Sequence, residues 1–181
     1  MLPKTRSRQD LKTFYSGYCL RDESDFFAPW LRKDAYTVAG FSYGAIKALR
    51  HVLESGSRID TLQLFSPAYF CSKTESFKRM QIKGYKRDST LYRSRFIESC
   101  FAPYPARDVA LADDGAEALE ELLTYAWPES ALRILKERGV RIEVYLGGKD
   151  AVIDAEAAAD YFKSYATIYF IKQANHFLQG E

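Results

Sequence analysis

A short apolar strand runs directly into a helix at a turn that carries one serine between two glycines. The segment is VAGFSYGAIKAL, residues 38–49, and it places Gly40 and Gly44 two positions before and after Ser42. Apolar side chains between residues 45 and 53 then recur at the spacing of one helix face, and Gly56 predicts the end of that helix. Such a turn has two interpretations: it leaves no room for side chains at the glycines, or it presents Ser42 as a nucleophile.

Short apolar segments alternate with helical segments along most of the chain. Strands are predicted at 12–17, 35–41, 60–67, 139–148 and 166–172, and helices at 22–33, 43–56 and 154–165. The helix at 22–33 has acids in its first turn, where they complement the helix dipole. This alternation indicates a parallel sheet with helices on its faces, and a length of 181 residues favours a single α/β domain over residues 1–181.

Residues 68–128 interrupt the alternation. They are rich in aromatic residues and contain no convincing strand, so we expect two to four helices with a break at FAPYPARD, residues 101–108. The segment follows the third predicted strand and precedes the fourth. It therefore emerges at the carboxyl edge of the sheet, where open α/β sheets bind ligands, and is expected to form a helical cap.

Charge is distributed unevenly although the net charge is only +2. Residues 73–95 contain eight Lys or Arg against two Asp or Glu, which is +6, and residues 107–121 contain one Arg against six acids, which is −5. Two interpretations stay open: solvated helix faces, or a docking surface for an acidic partner. A nucleic-acid partner is not expected, because the net charge is small and no recognition motif is present.

Other classes of protein are disfavoured by composition. The three cysteines, Cys19, Cys71 and Cys100, are odd in number and lack CxxC spacing, so each is interpreted as a small core residue. With two histidines, no metal site is expected, and no cofactor. No apolar run approaches the roughly 18 residues that span a bilayer, and no signal-peptide pattern follows the basic N-terminus. These features predict a cytoplasmic protein that does not bind membranes.

If Ser42 is a nucleophile, a base must take its proton and an acid must orient that base. His51 lies nine residues along the same helix, over about 10 Å from Ser42 at ~1.5 Å per residue, and is predicted to be a half-exposed helix histidine. His176 follows the last strand, and Asp150 follows the fourth. The order Ser42, Asp150, His176 is that of α/β-hydrolases, so these three are predicted to form a catalytic triad, with Asp154 as the alternative acid.

An oxyanion hole needs two donors aimed at the developing negative charge. One is predicted to be the backbone N–H of Tyr43, directly after the nucleophile. The other is expected in the loop after the first strand, where Ser16-Gly17-Tyr18 offers the N–H of Tyr18. Ser16 replaces the histidine that often precedes the glycine in hydrolases, and this change leaves the backbone donor in place.

Five segments together resemble the short bacterial type of pimeloyl-acyl-carrier-protein methyl ester esterases of biotin synthesis: VAGFSYGAIKAL, LFSP, FKRMQ, GVRIEVYLGGKD and the late NH. The resemblance runs from about residue 12 to the C-terminus. It implies a serine carboxylesterase that hydrolyses the methyl ester of a pimeloyl group held on the phosphopantetheine arm of acyl carrier protein. The products would be methanol and pimeloyl-acyl-carrier protein with a free distal carboxylate.

The resemblance also implies roles for cap residues. In similar enzymes cap cations hold the acidic carrier protein, and the cap stretch YRSRF looks like the part that lies along the acyl chain. The candidates for these two roles are Lys78, Arg79, Lys83, Arg87, Arg95 and Phe96.

The implied fold is a minimal α/β-hydrolase fold of about five mostly parallel strands, with the helical cap between the third and fourth. Only about 20 residues separate Gly17 from Val38, too few for the usual extra strand and helix. Five residues follow His176, enough for at most about one helical turn. Dimerisation is one way to cover the face that this leaves open, and the oligomeric state stays open.

Two other functions fit the same motifs. A thioesterase or general carboxylesterase would use the same triad, but a small neutral ester needs no segment of charge +6. A non-catalytic binding protein on a hydrolase fold would not need Ser42, Asp150 and His176 together.

Overall fold

A computed structural model describes residues 13–180. Residues 1–12, which include the basic N-terminal stretch and the first residue of the strand predicted at 12–17, lie outside the described residues, as does residue 181. No helix in the range 13–180 is long and apolar enough to cross a membrane.

A parallel sheet of five strands forms the centre of the fold. In chain order the strands and helices are β1 (Phe14–Tyr15), β2 (Leu20–Arg21), β3 (Thr37–Phe41), α1 (Tyr43–Glu54), β4 (Thr61–Phe65), α2 (Glu75–Arg87), α3 (Ser89–Phe101), β5 (Ala110–Leu111), α4 (Gly115–Thr124), α5 (Glu129–Glu137), β6 (Arg141–Gly147), α6 (Ala155–Phe162) and β7 (Thr167–Ile171). The sheet order is β1-β3-β4-β6-β7, and every neighbouring pair is parallel. The predicted α/β fold with a parallel sheet is confirmed.

The strand register aligns the carboxyl ends of the central strands. Phe41 is opposite Phe65, and Phe65 is opposite Tyr145. The residues that follow β3, β4 and β6 therefore emerge side by side at one edge, and Ser42 and Asp150 are among them.

Alternate residues of each strand point to opposite faces, so the sheet separates two apolar clusters. Leu62, Leu64 and Val144 belong to the larger cluster, which also holds buried residues of α1, α4, α5 and α6. On the other face Phe41 and Phe65 belong to a smaller, mainly aromatic cluster. This second cluster is how the short chain covers the face that the sequence left unexplained.

The helix predicted at 22–33 is wrong. The chain makes one 3-10 segment over Glu23–Phe27 and then a turn, in which the N–H groups of Trp30 and Leu31 donate to the carbonyl of Phe27. Ala28 still has helical backbone, with φ −49° and ψ −35°, but Pro29 has no N–H with which to continue the helical hydrogen bonds. Phe27 is fully buried on the second face and stacks on Phe65 at 4.7 Å between ring centroids.

The segment between β4 and β6 is mostly helical. Residues 68–128 hold the three helices α2, α3 and α4, and the predicted break at 101–108 separates α3 from α4. The expectation that this segment contains no strand is wrong, because β5 pairs antiparallel with β2. Helix α5, which follows the segment, was not predicted, although it buries Ala131, Leu132 and Leu135 on one side in an amphipathic pattern.

A buried polar cluster crosses the second face at β4 and β6. Glu143 is fully buried and accepts hydrogen bonds from Arg32 at 2.6 Å, from Gln63 at 2.9 Å and from Tyr145 at 2.9 Å. Burial raises the pKa of Glu143, but the hydrogen bonds from Arg32, Gln63 and Tyr145 outweigh it, so the net pKa lies below its ordinary value. The cluster ties the loop before β3 to the middle of the sheet.

We expect Glu143→Gln to lower the free energy of unfolding at pH 7 by about 1–3 kcal/mol, the range for hydrogen bonds to a charged group. Because the folded pKa is depressed, the stabilisation is complete above the ordinary value of 4.5 and is lost as pH falls toward the folded value. The gap in melting temperature between wild type and variant should therefore narrow below that pH. Glu137→Gln, at an exposed position on α5, is the control and should change little. A constant gap from pH 7 to pH 3 would contradict this account.

Candidate active site

The turn between β3 and α1 holds Ser42 in an unusual backbone conformation. Its φ is 51° and its ψ is −115°, in a region that residues other than glycine rarely adopt. A Cβ atom at Gly40 would lie 2.2 Å from the carbonyl oxygen of Gly44, and a Cβ at Gly44 would lie 2.0 Å from the carbonyl oxygen of Tyr15. Both interpretations of the motif therefore describe the same turn: no side chain fits at the glycines, and Ser42 is held at its tip.

His176 lies between Ser42 and Asp150. Its Nε2 atom is 3.0 Å from Ser42 Oγ, and its Nδ1 atom is 2.6 Å from Oδ2 of Asp150. Ser42 is 4% exposed, and the side chains of Asp150 and His176 are fully buried. This arrangement allows Nδ1–H to donate to the carboxylate while Nε2 accepts the proton of the serine hydroxyl.

The Asp150 carboxylate is fixed by backbone donors. Its Oδ1 atom accepts from the N–H groups of Val152 at 2.8 Å and Ile153 at 3.0 Å, which leaves Oδ2 to accept from His176. Asp154, the alternative acid, has another role, because its side chain caps α6 by accepting from the N–H of Ala157 at 2.9 Å. The geometry places Asp150, and not Asp154, next to the histidine.

The loop that carries His176 is anchored on both sides. Asn175 is fully buried; its side-chain amide donates to the carbonyl of Phe101 at 2.8 Å and accepts from the N–H of Gln179 at 3.0 Å. The Ser66 hydroxyl, directly after β4, donates to the carbonyl of His176 at 2.7 Å. Asn175 belongs to the NH motif seen in the sequence, whereas Ser66 was not singled out, although its place after a predicted strand was a usable signal.

The two predicted oxyanion donors lie on segments that adjoin Ser42 in the chain or in the fold: Tyr43 directly follows it, and Gly17, next to Tyr18, packs on the ring of Phe41. Tyr43 begins α1, where the first N–H groups of a helix lack partners within the helix, and Tyr18 follows β1 in the loop that packs against β3. Within residues 13–180, neither of these N–H groups donates a hydrogen bond to another group. Both are therefore available to an oxygen atom at the site.

The side chains of these two tyrosines are buried and hold α4. The Tyr18 hydroxyl donates to the carbonyl of Gly115 at 2.9 Å, and the Tyr43 hydroxyl donates to the carboxylate of Glu121. Burial raises the pKa of both phenols above its ordinary value, so they stay protonated donors.

Part of the acidic segment at 107–121 is paired inside the molecule. Glu121 forms a salt bridge with Arg50 at 2.5 Å, and Asp113 forms one with Arg93 at 2.8 Å. The hydrogen bond from Tyr43 holds the pKa of Glu121 below its usual value against the effect of burial. The first pair joins α4 of the cap to α1, and the second joins the residues before α4 to α3 within the cap.

The basic residues of the cap differ in their surroundings. Arg79, Lys83 and Arg87 are exposed at intervals of four residues along α2, so they share one helix face. Lys78 is not on an open surface, because its side chain is 13% exposed and pairs with Glu75 at 3.0 Å.

Arg95 and Phe96 lie on α3 and line a cavity of about 390 Å³ between α2, α3 and α4. Its lining is mainly apolar and extends to Ala151 and Val152, directly after Asp150. The ring of Phe96 also meets the ring of Tyr18 edge to face at 5.7 Å. The cavity therefore adjoins the turn that follows Asp150, and one of its lining rings contacts Tyr18, whereas Ser42 and His176 are not among its lining residues.

The other histidine and the three cysteines have no side-chain contact with Ser42, Asp150 or His176 among the hydrogen bonds of residues 13–180. His51, the half-exposed histidine of α1, is hydrogen-bonded to the Tyr15 hydroxyl at 2.5 Å. Cys19 and Cys100 are buried as predicted, but the expectation that Cys71 lies in the core is wrong, because Cys71 is exposed and makes a 3.6 Å contact with the carbonyl of Tyr125. Among residues 13–180, no group of His, Cys, Asp or Glu side chains is placed to hold a metal ion.

Comparisons with known proteins identify the fold. No protein-family model and no curated protein sequence matches the chain. Solved structures do match. A hydrolase from Oleispira antarctica has a TM-score of 0.68 and 11% identity, and the match covers 91% of this chain and 83% of that one. BioG from Haemophilus influenzae has a TM-score of 0.55 and 11% identity, with 91% of this chain and 87% of that one covered, and an esterase from Exiguobacterium antarcticum has a TM-score of 0.57 and 19% identity, with 77% and 59% covered. The chain thus spans well under two thirds of the Exiguobacterium esterase, but most of the other two. It has the α/β-hydrolase fold.

Substitution of Asp150 and of Asp154 should have very different effects on the rate of ester hydrolysis. Asp150→Asn is expected to lower the rate of ester hydrolysis by roughly 10⁴-fold, because the amide favours the wrong histidine tautomer. Asp154→Asn should keep the rate within about twofold and change the melting temperature only slightly, since Asn is also a good helix cap. Steady-state kinetics on p-nitrophenyl butyrate with a parallel thermal melt measures both. Loss of activity in Asp154→Asn, with Asp150→Asn active, would show that the acid is misassigned.

Proposed function

We propose that this chain is a serine carboxylesterase that removes the methyl ester from a pimeloyl group carried by acyl carrier protein. The observation on which the proposal rests is the contact of His176 Nε2 with Ser42 Oγ at 3.0 Å and of Nδ1 with Asp150 at 2.6 Å. The strained backbone of Ser42, between two glycines that admit no side chain, supports a nucleophile at the tip of the turn.

The reaction follows from these positions. Ser42 Oγ attacks the ester carbonyl while His176 takes its proton, and the N–H groups of Tyr18 and Tyr43 bind the oxygen of the tetrahedral intermediate. The intermediate collapses to an acyl-enzyme as His176 returns the proton to the leaving methoxide, which departs as methanol. A water molecule, deprotonated by His176, then attacks the acyl-enzyme, and His176 returns that proton to Ser42 Oγ as the bond to the acyl group breaks and the free acid leaves. Asp150 orients the imidazole and stabilises its charged form throughout.

The cavity beside this group suits an extended acyl chain. Phe70, Phe77, Phe96 and Leu122 are among its lining residues, and such surfaces favour burial of methylene groups by about 0.8 kcal/mol each. Arg95, which also lines the cavity, is exposed and can interact with a polar end of the ligand outside the apolar part.

The exposed cations on α2 support an acidic protein partner. Arg79, Lys83 and Arg87 present positive charge on one face of a cap helix, whereas Glu121 of α4 is paired with Arg50 and Tyr43 inside the molecule. Carrier proteins are acidic, so attraction to this face would bring the acyl-bearing arm toward the cap.

The choice of pimeloyl rests on similarity. The motifs of this chain resemble pimeloyl-acyl-carrier-protein methyl ester esterases, and BioG, an esterase of that activity, is among its structural neighbours at 11% identity. Fold likeness at this identity gives no preference among acyl hydrolases, so the substrate needs a direct test.

The direct test incubates the protein with pimeloyl-acyl-carrier-protein methyl ester and follows conversion to the free acid on a conformation-sensitive gel. Conversion by wild type and none by Ser42→Ala supports the proposal. Ser42→Ala should remain folded and should fail to react with a fluorophosphonate that labels the wild type. Turnover of thioesters or small esters without turnover of the carrier substrate would favour another acyl hydrolase, and absence of labelling would indicate a binding protein.

Reversal of the α2 charges separates a carrier-protein esterase from a general one. The triple variant Arg79→Glu, Lys83→Glu, Arg87→Glu is expected to raise KM for the carrier substrate by roughly tenfold or more, because steering by exposed charges acts mainly on association. Its kcat on p-nitrophenyl butyrate should change less than about twofold, because the triad lies elsewhere. Added salt should slow the wild type on the carrier substrate more than the variant, since exposed charges are screened over about 8–10 Å.

A matched control reverses three exposed lysines outside the cap: Lys33, Lys136 and Lys172. It makes the same change in net charge and should leave KM for the carrier substrate nearly unchanged. An equal rise in KM in both triple variants would mean that only total charge matters, and the α2 surface would lose its assigned role.

A further inference from the structure

The loop that offers the Tyr18 N–H is held by two carboxylates, one on each side of that residue. We call residues 16–20 the oxyanion loop. The N–H of Gly17 donates to Oε1 of Glu23 at 2.7 Å, and the N–H of Cys19 donates to Oδ2 of Asp114 at 2.6 Å. Tyr18, between them, is the residue whose N–H has no acceptor within the described range 13–180.

The position of the Glu23 carboxyl is unfavourable for the stability of the fold. It is 2% exposed, and within the part of the chain that the structure describes its Oε2 atom has no hydrogen-bond partner. Burial raises the pKa of Glu23, and the hydrogen bond from the Gly17 N–H opposes that rise without cancelling it. A buried carboxyl with one unpaired oxygen costs stability, so its contribution to the protein has to lie elsewhere.

The rest of the oxyanion loop leaves little freedom for movement. A Cβ at Gly17 would lie 2.8 Å from the ring of Phe41, so the backbone packs directly on the strand that precedes Ser42. Cys19 has a φ of 57°, a conformation that needs support from its surroundings, and the Asp114 carboxylate supplies a hydrogen bond to its N–H. Asp114 comes immediately before α4, so the cap helix takes part in fixing the loop.

We propose that Glu23 and Asp114 are positioning residues for ester hydrolysis: by binding the N–H groups on either side of Tyr18, they direct the Tyr18 N–H at the oxygen of the tetrahedral intermediate. The proposal rests on the esterase function proposed above. Donors that are already fixed need no reorganisation when charge develops, which is the source of their effect on rate. The acids at 22–23, assigned from sequence to a helix dipole, thus include one that serves the loop instead.

The test compares truncation with conservative replacement at both positions. Glu23→Ala and Asp114→Ala are expected to lower kcat on p-nitrophenyl butyrate by about 10- to 100-fold, somewhat less than complete loss of an oxyanion donor, with KM within about threefold. Glu23→Gln and Asp114→Asn keep an oxygen that accepts from the same N–H, so kcat should stay within about fivefold of wild type.

The affinity for a transition-state analogue measures stabilisation of the tetrahedral intermediate independently of kcat. A trifluoromethyl ketone forms a tetrahedral adduct with the serine, so its inhibition constant should weaken in the alanine variants by about the same factor as kcat/KM falls. Rates are expressed per serine titrated by a fluorophosphonate, which removes misfolded protein from the comparison. If Glu23→Ala does not fold, the partly exposed Asp114 still allows the test, because its side chain is 24% exposed.

Asp25→Ala and Asp113→Ala are the matched controls, because both carboxylates are exposed neighbours of the proposed residues and do not contact the oxyanion loop. They should keep wild-type kcat and inhibitor affinity. Unchanged kcat in folded Glu23→Ala and Asp114→Ala, or equal losses in the two controls, would overturn this inference while the esterase proposal stands. A wild-type protein that neither hydrolyses the ester nor reacts with the fluorophosphonate would overturn both.

Discussion

The first turn of α1 packs against the end of β1 with no space between the two backbones. A side chain at Gly44 would meet the carbonyl oxygen of Tyr15 at 2.0 Å, so the contact exists only because the residue is glycine. It brings the helix that begins after Ser42 against the loop that follows Tyr15. The nucleophile and both proposed oxyanion donors therefore come from one backbone contact, and their relative positions do not depend on flexible side chains.

Parallel strands explain why three side chains far apart in the sequence meet. The ends of β3, β4 and β6 are level in the sheet, so Ser42, Asp150 and the loop with His176 share one edge. This part was predictable from sequence, because short apolar strands, the glycine-flanked serine and the order of the three residues are all local signals. The same reasoning located the cap, since it needed only the point at which the alternation of strands and helices stops.

What the sequence did not predict depends on contacts between distant segments. Glu23 looked like an acid in the first turn of a helix, but the packing of Phe27 and the position of Pro29 limit the helix to one short turn, and the carboxyl turns inward to Gly17. The bond from the Cys19 N–H to Asp114 joins residues 95 positions apart, and no periodicity reveals such a pair. Side-chain burial on the second face likewise arises from tertiary packing that overrides local preference.

The opposite charges of the cap serve different purposes in this fold. On α4, Glu121 is bound to Arg50 and Tyr43 in the body of the protein, whereas Arg79, Lys83 and Arg87 on α2 face solvent. Helix α4, next to the oxyanion loop, is held by hydrogen bonds from the Tyr18 and Tyr43 hydroxyls, whereas helix α2, which displays the exposed cations, lies earlier in the chain. Ser42 is only 4% exposed, and α4 of the cap is held by the hydroxyl of Tyr43, the residue directly after it. Under the proposed esterase function, selection among esters would depend on the cap surface and its cavity, because the fold by itself sets no substrate.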